Sequence, residues 1–220
     1  QKTVAQRLNR SGQSIPLIAE TGGQNAMIVD SSALTEQVIL DVVNSAYDSA
    51  GQRCSALRIL CVQEDNAASV IAMLKGAMLQ LNVGKPHLLN TDIGPVIDLE
   101  AKGLIDKHIE KMRAKGHTIH QLMRNTDSSA LSQGTFVVPA LIELPNLNDL
   151  EREVFGPVLH LITYKYGELN QLLDQINAKG YGLTMGLHTR IDETIQTVIA
   201  KAEVGNLYIN RNIVGAVVGV

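Results

Sequence analysis

The sequence predicts an α/β protein built on a mostly parallel, twisted sheet with helices on both faces. Short apolar segments alternate with amphipathic helical segments along most of the chain. Many of the apolar segments are continuous rather than alternating, as expected for strands covered on both faces. With 45% hydrophobic residues among 220, the chain can bury the core of one large lobe. In a sheet of this class we expect ligands at the carboxyl ends of the strands.

The first elements follow from turn and cap signals. Residues 1–14 are polar and are predicted to be the tail of a preceding segment. Short apolar strands are predicted at 15–19 and 26–29. The oxygen-bearing side chains of residues 30–32 predict a helix start, with the helix covering 34–50 and ending at Gly51.

The same β–α rhythm continues to the end of the chain. Proline 139 within the segment 134–142 indicates an edge strand or a bulge, and 116–122 is predicted to be an edge strand. His108 is predicted to lie on a helix surface or flank. Further strands are predicted at 57–62, 158–164, 183–188 and 207–210, and helices at 67–81, 99–115, 168–177 and 192–202.

Composition excludes several classes of function. A formal net charge of −3 and 3% aromatic residues do not suit nucleic-acid binding. No apolar run reaches the ~20 residues of a membrane-spanning helix. A strand between Cys54 and Cys61 would separate them beyond disulfide reach, and reduced thiols predict a cytoplasmic location. His117 and His120 lack neighbouring carboxylate or cysteine ligands in the sequence, so no metal site is expected.

The turn at residues 51–56, Gly-Gln-Arg-Cys-Ser-Ala, is the first candidate for chemistry. It joins a predicted helix to a predicted strand and so places Cys54 at the rim of the sheet. Arg53 would favour the thiolate, which is the nucleophilic form of cysteine. The alternatives are a half-buried structural cysteine and a solvated Arg53.

A second candidate is Glu20, which directly follows the apolar segment 15–19 and precedes the pair Gly22–Gly23. Glycines permit unusual dihedrals and close approach of a ligand to the backbone. The glutamate is either a solvated loop residue or a general base whose pKa is raised by an apolar surface that excludes water.

Together with the segment 151–158, Glu-Arg-Glu-Val-Phe-Gly-Pro-Val, these two stretches resemble the ordered motifs of the aldehyde dehydrogenase superfamily. Those motifs are a Glu-x-Gly-Gly-x-Asn box, a Gly-Gln-x-Cys nucleophile and a Glu-[Ile/Val]-Phe-Gly-Pro-Val box. The wording of residues 20–30, 51–58 and 94–98 is similar to the pyrroline-5-carboxylate (glutamate semialdehyde) dehydrogenase part of bacterial proline utilisation A proteins. The resemblance covers essentially the whole chain and implies that 15–220 is an aldehyde dehydrogenase catalytic domain truncated at both ends.

The resemblance implies NAD-dependent oxidation of glutamate semialdehyde to glutamate through a cysteine thioester, in a longer, homo-oligomeric protein. Cys54 would be the nucleophile and Glu20 the base that activates water. Glu153 and Phe155 would contact the nicotinamide end of NAD, with Thr21 and Gly22 lining that pocket through their backbone. Ser55 would reach the substrate, or alternatively cap the following strand.

Two other functions are open from the sequence. Cys54 could be the nucleophile of a hydrolase or acyltransferase, activated by one of the six histidines. The chain by itself could also be a catalytically inert lobe. It contains no Gly-x-Gly-x-x-Gly motif, so the contacts to the pyrophosphate and adenine of NAD cannot be identified in it.

Overall fold

The computed structural model describes residues 22–124 and 134–215, which form one α/β unit around a seven-stranded sheet. The strand order is β3-β4-β5-β2-β1-β6-β7, and every neighbouring pair is parallel except β3 with β4. The predicted fold class is therefore confirmed. The strands are β1 (Asn25–Val29), β2 (Leu57–Gln63), β3 (Thr118–Gln121), β4 (Ala140–Glu143), β5 (Val158–Tyr164), β6 (Thr184–His188) and β7 (Asn206–Ile209).

Within the described residues, five α-helices and two short 3-10 helices connect these strands. The first 3-10 helix, Asp48–Gly51, directly follows α1, and the second is Leu147–Asp149. The α-helices are α1 (Thr35–Tyr47), α2 (Glu64–Met78), α3 (Leu99–Ala114), α4 (Leu169–Asn177) and α5 (Asp192–Lys201). None of the helices in the described ranges is long and apolar enough to cross a membrane.

The helices cover both faces of the sheet because the crossovers run in two directions. The connection through α1 steps from β1 towards the β3 edge, whereas those through α4 and α5 step towards the β7 edge. Right-handed parallel crossovers in opposite directions put their helices on opposite faces. Consistently, α1 packs against α2, and α4 packs against α5.

The centre of the core is formed by β1 and β2, which are buried at every position. Strands covered on both faces need apolar side chains throughout, which explains the continuous apolar runs in the sequence. The predicted strands at 26–29, 57–62 and 158–164 and the edge strand within 116–122 are confirmed. The strand predicted at 15–19 lies outside the described residues.

Two predicted boundaries are wrong around α1. The helix ends at Tyr47 instead of residue 50, and Ser49 and Ala50 adopt positive φ angles of 55° and 54°. Asp30 does not cap the helix: its Oδ1 accepts from the backbone N–H of Ser32, 2.8 Å away, and so closes a local turn. Leu34 occupies the N-cap position without a side-chain hydrogen bond.

The strand predicted at 134–142 is also shorter than expected. It begins at Ala140, directly after Pro139. Proline has no backbone N–H to donate to a neighbouring strand, and the ladder between β4 and β5 therefore starts only at the next residue.

Candidate active site

The three turns that precede β1, β2 and β5 lie together, at the end of the sheet where these parallel strands begin. They carry Gly22 and Gly23, Cys54, and Glu153 respectively, and each lies on the amino-terminal side of its strand. The expectation of a site at the carboxyl ends is therefore wrong for these residues. The segments that carry them lead into the strands, whereas the carboxyl-end rule concerns loops that leave strands.

Cys54 is exposed, in a turn held from the neighbouring strand. The Asn25 side-chain amide donates to the carbonyl oxygens of Cys54 at 2.7 Å and Ala56 at 2.8 Å. Its Oδ1 accepts from the backbone N–H of Thr184 at 3.2 Å. Both N–H groups and the carbonyl oxygen of this buried amide thus join β6, β1 and the Cys54 turn.

The approach to Cys54 begins with Gly51, whose φ of +65° is in the left-handed region. A Cβ atom at this position would collide with the carbonyl oxygen of Gly156, so both the conformation and the packing require glycine. The turn before Cys54 is therefore packed directly against the turn before β5.

The Gly22–Gly23 pair lies between Cys54 and Glu153. A Cβ atom on Gly23 would be 2.6 Å from the carbonyl oxygen of Cys54, and one on Gly22 would collide with Oε2 of Glu153. The backbone N–H of Gly23 donates to that Oε2 at 2.9 Å. The segment following the predicted base thus runs beside the predicted nucleophile, although Glu20 and Thr21 themselves lie outside the described residues.

Arg58, near the start of β2, is the buried cation of the site. Its side chain is 2% exposed, and its Nη2 and Nε lie 3.0 and 3.2 Å from Oε1 of Glu153. Nη1 donates to the carbonyl of Gly156 at 3.0 Å and Nη2 to that of Arg53 at 3.2 Å. Burial lowers the pKa of Arg58, and the negative charges of Glu153 and Cys54 partly offset this effect.

The ring of Phe155 packs against the guanidinium of Arg58. The guanidinium carbon of Arg58 is 5.3 Å from the centre of the Phe155 ring, which is 46% exposed. Both Glu153 and Phe155 line a cavity of about 500 Å³ against α3, together with residues that include Leu104, His108 and Arg152. Cys54 is not among the lining residues, so the cavity adjoins the predicted cofactor residues rather than the nucleophile.

A pair of histidines continues this network into the sheet. His160 Nδ1 lies 3.1 Å from the carbonyl oxygen of Arg58 and must donate to it, so Nε2 accepts from His108 Nε2 at 2.8 Å. Burial lowers the pKa of His160 to about 3 and that of His108 to about 4, with nearby cations adding to the effect on His108. His108 is thus half-buried on α3 and paired with the core, which agrees with a position on the flank of the helix rather than on its exposed surface.

Two neighbours of Cys54 have roles that the structure constrains differently. Arg53 is exposed and its Nε donates to Ser49 Oγ at 3.1 Å. Ser55 is buried, at 5% exposure, and its contact with a substrate stays a prediction.

Within 22–124 and 134–215, no cluster of three or more metal-ligating side chains occurs.

Sequence reasoning missed the contributions of Asn25 and Arg58. Both lie inside the quoted motifs, and Arg58 interrupts an otherwise apolar strand segment, which is an indication of a buried partner. The partners themselves, Cys54 and Glu153, are 29 and 95 residues away, and no local pattern identifies them.

Comparison with known proteins places this arrangement in a family. The model of the aldehyde dehydrogenase family matches residues 1–219. The bifunctional protein PutA of Salmonella typhimurium is 61% identical over 222 aligned residues, which cover the whole chain and 17% of that protein. The chain therefore spans about a sixth of the length of this relative.

Solved structures give the same assignment. A crystal structure of a bifunctional proline utilization A (PutA) protein superposes with a TM-score of 0.89 at 48% identity, covering 99% of this chain and 22% of that one. A 1-pyrroline-5-carboxylate dehydrogenase from Thermus with bound NAD gives a TM-score of 0.78 at 33% identity, covering 91% and 38%. The matched motifs, the family model and the shared fold establish that the chain belongs to the aldehyde dehydrogenase family.

Proposed function

We propose that the chain supplies the nucleophile and the base of an NAD-dependent enzyme that oxidises glutamate semialdehyde, formed from pyrroline-5-carboxylate, to glutamate. The observation that carries the proposal is the exposed Cys54 turn, clamped by Asn25 beside the Gly22–Gly23 segment. The names of the relatives, PutA and 1-pyrroline-5-carboxylate dehydrogenase, support the substrate. The active form is a longer protein located in the cytoplasm.

Cys54 acts first, as a thiolate. Its sulfur attacks the aldehyde carbon, a C–S bond forms, and the carbonyl oxygen becomes an oxyanion. The backbone N–H of Cys54 is a donor for that oxyanion. Collapse of the oxyanion would leave a thioester on Cys54 as the hydride passes to the bound acceptor.

Glu20 acts second, as a base. It takes a proton from water, the resulting hydroxide attacks the thioester carbon, and the C–S bond breaks to release glutamate and the Cys54 thiolate. The short distance along the chain from Glu20 to Gly23, which contacts the Cys54 carbonyl, supports a position for this carboxylate near the thioester.

The residues present fit a nicotinamide nucleotide. NAD, when bound, accepts the hydride. Oε1 of Glu153 accepts from both Nε and Nη2 of Arg58, whereas Oε2 accepts only from the N–H of Gly23 and keeps a second lone pair for a ribose hydroxyl. The exposed ring of Phe155 offers an apolar surface for the nicotinamide end, and Gly22 supplies backbone beside Glu153. The part of Thr21 in this pocket is a proposal, since Thr21 lies outside the described residues.

The alternative of a cysteine hydrolase is less well supported. Of the six histidines, His108 pairs with His160, and three others each lie beside a carboxylate: His117 with Asp149, His120 with Glu143 and His188 with Asp41. None of the six makes a hydrogen bond with the Cys54 side chain in the described structure, which an activating base would need.

The test uses the full-length protein. Cys54→Ala should abolish NAD reduction with glutamate semialdehyde, because no other group forms the thioester. Glu20→Gln should form the thioester but hydrolyse it slowly, so intact-protein mass spectrometry should detect an acylated Cys54.

Cys61→Ala is the matched control, since it removes the other thiol, which is buried in β2. It should retain activity. Normal turnover by Cys54→Ala would rule out the proposal, and acyl-enzyme that is absent from Glu20→Gln would rule out the role of the base.

A further inference from the structure

The ion pair between Arg58 and Glu153 needs an explanation beyond stability. Both side chains are largely buried, at 2% and 11% exposure. Removing two charges from water is costly, and well-packed apolar residues are often as stabilising as a buried ion pair. A pair of this kind is informative chiefly because of what it orients.

Arg58 orients groups from two turns that are far apart in sequence. One side of its guanidinium holds the carbonyl of Arg53, the residue before Cys54, and another holds the carbonyl of Gly156. The same group holds the carboxylate of Glu153 and lies against the Phe155 ring. It thus contacts both predicted cofactor residues and the turn of the predicted nucleophile.

Each of these contacts uses the shape of the guanidinium. Three nitrogens donate in one plane in fixed directions, and every acceptor lies within 3.2 Å. A lysine would keep the charge but present one compact group, which cannot reach Glu153 and both carbonyls together.

We propose that Arg58 is the positioning residue that fixes the cofactor-binding carboxylate of Glu153 and the Phe155 ring relative to the Cys54 turn. This assignment rests on the proposed function. Arg58 acts through contacts within the protein, because four of its five N–H groups donate to Glu153, Gly156 and Arg53. Its effect on the reaction is exerted through Glu153, whose second oxygen is held by Gly23.

The assignment predicts a loss of NAD affinity without a loss of fold. In the full-length protein, Arg58→Lys should raise the dissociation constant for NAD about tenfold, the effect of losing one charge-assisted hydrogen bond. The protein should stay folded, with a thermal midpoint lowered by the buried carbonyl groups that lysine leaves unpaired. Arg113→Lys is the control: this exposed arginine on α3 pairs with Glu110, and its NAD affinity should equal that of the wild type.

A double-mutant cycle separates positioning from general structure. Glu153→Gln should weaken NAD binding, and Arg58→Lys combined with Glu153→Gln should bind NAD no more weakly than the worse single variant, because both act through one carboxylate. Independent, multiplying effects would overturn the assignment, as would wild-type NAD affinity in Arg58→Lys.

Chemical rescue provides a second measurement if Arg58→Lys does not fold. In Arg58→Ala, added ethylguanidinium should restore NAD affinity, whereas it should not do so in Glu153→Gln. No rescue in a folded Arg58→Ala would overturn the assignment.

The outcomes separate this assignment from the proposed function. If the wild-type protein neither binds NAD nor oxidises the aldehyde, the proposed function is wrong. If the wild-type protein does both and the Arg58 variants bind NAD equally well, only the assignment of Arg58 is wrong.

Discussion

Asn25 fixes the position of Cys54 through three hydrogen bonds from one side chain. Its amide group donates to two carbonyl oxygens, and its own carbonyl oxygen accepts from the start of β6. In a buried site every one of these partners needs its bond, because an unpaired buried carbonyl costs about 1 to 3 kcal/mol.

Asn25→Asp should therefore lower the free energy of unfolding by at least about 2 kcal/mol, since a carboxylate would face two carbonyl oxygens without a donor. Urea denaturation followed by circular dichroism measures this. Asn146→Asp is the control: Asn146 is exposed and only accepts, from the N–H of Asn148, which an aspartate does equally well. Equal stability of the two variants would contradict the clamp.

At the scale of residues, the sequence predicts which residues belong to the site better than it predicts which residues contact them. Cys54 and Glu153 stand in motifs that can be quoted directly, and both lie at the same edge of the sheet in the structure. The prediction that the site lies at the carboxyl ends of the strands is wrong for these residues. A pattern of strands and helices predicts which loops exist but not which of them form the site. The positions of Glu20 and Thr21 stay predictions.

The 3-10 turn Asp48–Gly51 shows how an element is ended by tertiary contact. Ser49, Ala50 and Gly51 all have positive φ angles, between 54° and 65°. Ser49 and Ala50 are ordinary residues in a helix, and so the sequence predicts helix as far as residue 50. The contact of Gly51 with Gly156 enforces a different path that no local propensity indicates.

Gly51→Ala should destabilise the protein more than Gly116→Ala. Gly116 has a φ of +85° with open space around its Cα, so alanine there costs only the left-handed conformation, about 1 kcal/mol. At Gly51 the methyl group also meets Gly156, and we expect a loss of about 3 kcal/mol or more. Unfolding in urea compares the two, and similar losses would contradict the packing argument.

The contact between α3 and β5 makes stability depend on pH. His160 has a folded pKa of about 3, below its ordinary 6.5, so the unfolded state takes up a proton first as the pH falls. Stability is then complete above pH 6.5 and decreases between pH 6.5 and pH 3. The contribution of His160 should fall by about 2 kcal/mol between pH 7.5 and pH 5.

His160→Asn should flatten this dependence, measured as the free energy of unfolding at the two pH values. His108 and His188, whose pKa values are each lowered to about 4 chiefly by burial, would keep a decrease of the same sign. His87→Asn, at an exposed position, is the control for the substitution itself. Parallel curves for wild type and His160→Asn would show that the ring is protonated equally in both states.

At the scale of the whole molecule, the two cysteines differ in access. Cys54 is exposed, whereas Cys61 is fully buried in β2, where burial raises the pKa of its thiol. We expect a thiol reagent to modify one cysteine in the native chain and two in denaturant, and none in native Cys54→Ser. Rapid reaction of two thiols under native conditions would mean that the sheet is open around β2.

The same chain, tested alone, should show no NAD reduction with glutamate semialdehyde. Hydride transfer needs the nicotinamide aligned with the reacting carbon, and an error of about 1 Å can cost ~100-fold in rate. The chain has no Gly-x-Gly-x-x-Gly motif and covers 38% of the Thermus enzyme. Robust activity of the purified chain, against that of the full-length protein as reference, would show that the cofactor site lies within it.

The anchoring of the Cys54 turn in β1 and β2 also has a kinetic consequence. Both strands are buried at every position and lie at the centre of the sheet, where backbone amides exchange with solvent only when the whole domain opens. The nucleophile is thus tied to the slowest-exchanging part of the molecule rather than to a loop that frays. Heat should therefore inactivate this site together with global unfolding and not before it.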